Sequence, residues 1–191
     1  MQLATITNSR YYIAFKDVGL FLIITLAFHF FFRAIAPWLY TIAVWQHTTL
    51  FIQNLLFDNS VWFIRHVLRL EIVTDSLKMT FVANNGWITI NEGCSGLKIF
   101  FQFIVLMLLF PGPWKHKLWY IPMGVVILHF TNIFRIVGMA QITVSLPQYW
   151  HFSHDYVFRP FFYVVIFTMW VIWVENFYKK DELRKAQKSE R

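Results

Sequence analysis

The chain has 191 residues, of which 58% are hydrophobic, 20% aromatic and 14% charged, and its formal net charge is +7. So much apolar surface exceeds what a soluble domain of this length buries, which excludes an ordinary globular protein and indicates a single integral membrane domain over residues 1–191. The charge does not point to nucleic acid, because six of the 17 basic residues (Lys179, Lys180, Arg184, Lys185, Lys188 and Arg191) follow the last apolar run, where they read first as a topology signal.

Residues 18–36 are apolar apart from His29 and Arg33, and about 19 residues suit one bilayer crossing. Arg10 and Lys16 precede this run as in a signal peptide. It exceeds the roughly 7–15 residues of a signal core, however, and no small-x-small cleavage site follows, so it reads as a retained anchor. Between residues 37 and 70 the apolar pattern is broken by Gln46, His47, Gln53, Asn54, Asp58, Arg65, His66 and Arg69. This suits amphipathic helices at the membrane face, with a crossing over residues 38–57 left open. Two β-prone runs, residues 79–83 and 87–90, flank Asn84-Asn85-Gly86, a strong hairpin signal. The second run ends at Asn91, so a hairpin there would support the segment that follows.

Residues 97–110 form an apolar run of about 14 residues, closed by Pro111-Gly112-Pro113; extended to 95–111 it nearly crosses a bilayer. Lys115-His116-Lys117 fills the tight connection to the next apolar run and places it in the cytoplasm by the positive-inside bias. Residues 118–146 then return outward, and residues 159–178 come back to the basic tail at 179–191. The expected fold is therefore an all-α integral membrane protein of about four transmembrane helices (18–36, 95–111, 118–146 and 159–178). Segment 37–94, with amphipathic interfacial helices and the β-hairpin, lies on the outer face, and both termini are cytoplasmic. Five crossings would place Arg10 and Lys16 outside, against the same bias.

Cys94, the one cysteine, sits in Asn91-Glu92-Gly93-Cys94-Ser95-Gly96-Leu97, where a polar segment enters an apolar helix. A thiol at a helix N-terminus is favoured as thiolate, the nucleophilic form; the alternative is a small buried hydrophobe. Arg135 lies 17 positions beyond Leu118, roughly 26 Å up a helix and near the outer side of the bilayer core. An arginine there is costly and faces either a bundle interior or, by snorkelling, the headgroups. Asn132 and Gly138 share its face. His154 and Asp155, with His151, fall in the short outer loop between the last two spans, so cysteine, arginine and histidine reach one level. His154 is the preferred general acid or base, with His151 as the alternative. Glu92 either caps the helix or orients the histidine, and Lys98 either adds positive potential or snorkels. No histidine pair has metal-ligand spacing, and no phosphate-binding, dinucleotide or nucleophile-elbow motif is present, so neither metal nor cofactor is expected.

The residues Glu92-Gly93-Cys94-Ser95-Gly96-Leu97, then Asn132-Ile133-Phe134-Arg135-Ile136, then His154-Asp155, resemble in order and spacing the exosortase/archaeosortase family of membrane transpeptidases. The resemblance implies Cys94 as nucleophile, Arg135 as essential cation and His154 as the third catalytic member, with Asn132, Glu92, Ser95, Gly96, His151 and Asp155 in support. It implies a multi-pass protein of a bacterial cytoplasmic membrane with its site on the periplasmic side. The partner would be a membrane-anchored protein ending in a sorting signal: a short motif, a helix and a basic cluster. That signal is cut through a thioester and the new carboxyl end passes to an acceptor whose identity is open. The chain is shorter than full-length relatives and looks like a compact branch. The competing reading is a non-catalytic membrane scaffold of an export or polysaccharide system.

Overall fold

The computed structural model describes residues 2–189, with side chains from residue 15 onward except at positions 186 and 189. Arg191 of the basic tail and the side chain of Arg10 lie outside the described residues. Helix α1 (Gln2–Leu39) leads through a short turn into α2 (Ala43–His66). Three short strands follow, β1 (Ile72–Asp75), β2 (Lys78–Phe81) and β3 (Trp87–Thr89). Then come α3 (Leu97–Leu109) and α4 (Trp114–Ser145).

Among the described residues three stretches are long and apolar enough to cross a membrane: Phe15–Leu39, Trp114–Ser145 and Pro147–Lys185. The expected fourth, α3, has 13 residues and rises only about 20 Å against a bilayer core of about 30 Å. Both its ends are cut by backbone that no helix continues. Gly96 is left-handed at φ 81°, and Gly112 lies at φ 142° between Pro111 and Pro113. Phe30, Phe31, Phe130, Phe134 and Phe167 are exposed, as suits a surface whose solvent is lipid.

Segment 37–70 is mainly one helix, α2, packed along α4. Its polar residues are partly used inside: Asn59 Nδ2 pairs with His129 Nε2 of α4 at 3.2 Å. The strands form one antiparallel sheet in the order β1-β2-β3, with Met79 opposite Ile88 and Thr74 opposite Met79. The Asn-Gly hairpin is therefore present, with Asn85 at φ 56° in its turn. Its strands are shorter than the β-prone runs, because Val82 and Ala83 belong to the turn. Strand β1 offers only three strand-like residues, Ile72, Val73 and Thr74, between the acidic Glu71 and Asp75, too few to read as a strand. Asn84 Nδ2 donates to the Thr143 carbonyl at 2.7 Å and ties the hairpin to the end of α4.

Two cores result. One joins α1, α3, α4 and the helix Arg159–Trp173 through Phe21, Phe103, Leu128 and Ile166; the other lies under the sheet between α2 and α4, through Leu56, Ile64, Phe81 and Met139.

The sequence places His151, His154 and Asp155 in a loop, but the chain there is helical. After a 3₁₀ turn at Pro147–Tyr149, α5 (Trp150–Phe152) runs through a π-helical turn (Ser153–Phe158) into α6 (Arg159–Trp173). Pro160 explains the π turn: it has no N–H for the carbonyl one turn back, and its ring crowds that carbonyl, so the helix widens before it. A second π turn (Val174–Tyr178) leads to α7 (Lys179–Ser189). Lys117, read from sequence as part of a charged loop, is 3% exposed and turns inward. Its Nζ donates to the carbonyls of Leu108 at 3.0 Å and Phe110 at 2.7 Å, capping the C-terminus of α3.

Candidate active site

The cysteine segment is built by local hydrogen bonds. After β3, Asn91 caps a 3₁₀ turn, Glu92–Cys94, and its Oδ1 accepts from the Cys94 backbone N–H at 3.0 Å. Ser95 Oγ donates to the Glu92 carbonyl at 2.8 Å and accepts from Leu97 N–H at 3.2 Å, closing the entry to α3. Gly96 is required twice, by its positive φ and by space: a β-carbon there would stand 2.7 Å from Asn132 Nδ2.

Helix α4 holds this segment from the other side. Asn132, fully buried, donates from Nδ2 to the carbonyls of both Cys94 and Ser95 at 3.0 Å each. Arg135, 7% exposed, donates from Nη2 to the Cys94 carbonyl at 3.0 Å. Its charge is thus turned into the bundle, which decides against snorkelling. Gly138 lets Phe158 pack against α4, since a β-carbon would meet that ring at 2.6 Å.

A cavity of about 670 Å³ opens beside this clamp, lined by Cys94, Arg135, His151, His154, Arg159 and Trp150, with β3 and Asn91 as a further wall. His154 Nδ1 lies 2.8 Å from Asp155 Oδ1. An ionised carboxylate only accepts, so Nδ1 carries the proton and Nε2 is left as the free ring nitrogen. The imidazole also stacks on Trp150, with ring centroids 5.1 Å apart and planes within 6°. Arg159 Nη1 holds the same Asp155 oxygen from one turn on, at 3.2 Å.

The site therefore gathers Cys94, Asn132, Arg135, His151, His154 and Asp155, with Ser95 and Gly96 shaping the turn. Glu92 does not join them: Asn91 does the capping, and Glu92 lines a second cavity behind the cysteine segment, away from His154. Lys98 lines that second cavity too, its ammonium 5.4 Å from the Phe32 ring. Asn91, Trp150 and Arg159 were not singled out from sequence. Trp150 and Arg159 sit four residues from His154 and Asp155, the spacing at which side chains meet on a helix but not in a loop. Among the described residues no group of three or more His, Cys, Asp or Glu side chains is placed to hold a metal ion.

Residues 7–171 match the protein family described as Transmembrane exosortase (Exosortase_EpsH). The chain belongs to the exosortase family. Comparisons with curated proteins and with solved structures gave no match. In this exosortase the matched region takes in the three apolar stretches up to residue 171, the sheet and every residue lining the cysteine cavity. It also extends over α2 and much of α1, which the three motifs left unaddressed.

Proposed function

We propose that this exosortase is a membrane-embedded cysteine transpeptidase or peptidase that cleaves the C-terminal sorting signal of an exported, membrane-anchored protein through a thioester at Cys94. The observation that carries the reading is the shared cavity of Cys94, Arg135 and His154. His154 Nε2 takes the thiol proton, and the thiolate attacks the scissile peptide carbonyl. The resulting tetrahedral oxyanion is stabilised by Arg135, whose buried guanidinium stays fixed throughout. Collapse forms the Cys94 thioester and breaks the C–N bond, with the proton held by His154 passing to the leaving amine. An acceptor hydroxyl, amine or water then attacks the thioester and regenerates the thiol. The sequence of steps uses no cofactor.

In this reading the cavity faces the outer, periplasmic side of a bacterial cytoplasmic membrane, and Lys115 and the basic tail lie inside. The substrate helix enters from the bilayer. The test is co-expression with a membrane-anchored protein encoded beside it that ends in a helix and basic tail. Cys94→Ala and Arg135→Ala each abolish processing while the protein still accumulates in the membrane; undiminished processing in both overturns the proposal.

A further inference from the structure

The second cavity, of about 210 Å³, lies on the far side of the cysteine segment. It shares Gly93, Arg135 and Arg159 with the first, but neither Cys94 nor His154 lines it. Its polar lining is dominated by donors. Lys98, Arg135 and Arg159 supply three cations against the single carboxylate of Glu92. Thr49 Oγ1 and Trp45 Nε1 are buried with no hydrogen-bond partner, and Thr49 itself is only 4% exposed. Buried donors without partners are costly, and these border a cavity with net positive charge. The first turn of α3 also lines it, at Leu97, Lys98 and Ile99.

A third cavity, of about 600 Å³, adjoins it and has the opposite chemistry. This groove runs between α1 and α3 along Ile24, Ala27, Phe28, Phe31, Phe101 and Val105. Phe32 and Trp45 line both cavities, their rings 6.0 Å apart. A small cationic, donor-rich chamber thus shares two lining residues with a longer apolar groove between α1 and α3. A free anion would leave the groove unused, and a purely apolar chain would leave the donors unpaired.

We propose that these two cavities form one binding site for a phosphate-bearing membrane lipid, the phosphate held among Lys98, Thr49, Trp45 and Arg159 and an acyl chain lying along α1 and α3. Such a lipid sits directly behind the Cys94 backbone. Its lining excludes the thiol and the imidazole, and it shares Arg135 and Arg159 with the cysteine cavity.

The test is native mass spectrometry of the purified full chain with three probes: dioleoyl phosphatidylglycerol, dioleoylglycerol and glycerol 3-phosphate. Phosphatidylglycerol is expected to remain bound at one per chain, and the other two, each lacking half of the molecule, to be lost at much lower collision energy. Lys98→Met is expected to weaken phosphatidylglycerol about tenfold, the scale of one charge-assisted hydrogen bond, while Lys98→Arg keeps it. Ala27→Trp, which fills the groove, weakens it too, with unchanged helicity by circular dichroism in all three variants. Equal retention of dioleoylglycerol or of glycerol 3-phosphate, or phosphatidylglycerol retention unchanged in both Lys98→Met and Ala27→Trp, overturns the proposal.

Discussion

The peptide carbonyl of Cys94 is held by two side chains of another helix, Asn132 and Arg135, and this clamp fixes the direction of the thiol. Asn132→Leu removes the donor to two carbonyls in one change. It is expected to lower stability by about 1–3 kcal/mol, read from thermal unfolding in detergent, and to lower processing by more than that loss of folded protein explains. Gly96→Ala strains the same turn from the other side, by its φ of 81° and its approach to Asn132, and a similar loss in the same assay is expected. In the proposed mechanism Asp155 acts at one remove, through its contacts with His154 Nδ1 and Arg159 Nη1. Asp155→Asn is expected to slow processing by about 100-fold or more, the scale of general acid–base catalysis, and to alter its pH profile without a change in melting temperature. The places of Cys94 and Arg135 on the cavity were legible because a thiol at a helix entry and a cation in an apolar run are chemically out of place, and that of His154 because it follows them in motif order. Asn91 and Trp150 were not, since a cap and a stacking partner are common residues whose task depends on a neighbour's backbone.

At the scale of elements, Lys117 shows how a side chain can be misread when its helix start is unknown. A Lys-His-Lys run after Pro-Gly-Pro reads as a solvated loop, yet α4 begins at Trp114 and its first turn directs Lys117 beneath α3. Lys117→Met is expected to cost about 1–3 kcal/mol by uncapping Leu108 and Phe110, whereas Lys115→Met, at an exposed position, should be nearly neutral; paired thermal melts separate the two. The same kind of misreading turned the histidine segment into a loop. Polar residues at 151, 154 and 155 and a proline at 160 signal a break, but the chain accommodates the proline by widening to a π turn. That widening keeps His154 and Asp155 on a rigid support. The hairpin was legible because its turn chemistry is local, while β1 needed its partner β2 to exist at all.

For the whole molecule, the apolar stretches alone give three crossings, which would leave the termini on opposite sides. Connectivity argues for four passages. We propose that α3 is the fourth passage despite its 13 residues, because α4 is long enough to cross and only four residues, 110–113, separate the two helices. Trp173 Nε1 donates to the Pro111 carbonyl at 3.1 Å, and Tyr120 Oη to the Met169 carbonyl at 2.7 Å, fastening that turn and the start of α4 to α6. Reporter fusions are accordingly expected to find both termini in the cytoplasm; termini on opposite sides would remove α3 as a passage. The central claim remains that Cys94 carries the covalent step. Its most direct measurement is the intact mass of the purified enzyme mixed with its sorting-signal substrate and quenched in acid. The account predicts an added mass equal to the acyl fragment upstream of the cut, located on Cys94, released by hydroxylamine and absent from Cys94→Ala. An enzyme that cleaves the substrate with no adduct, and equally well as Cys94→Ala, would contradict it.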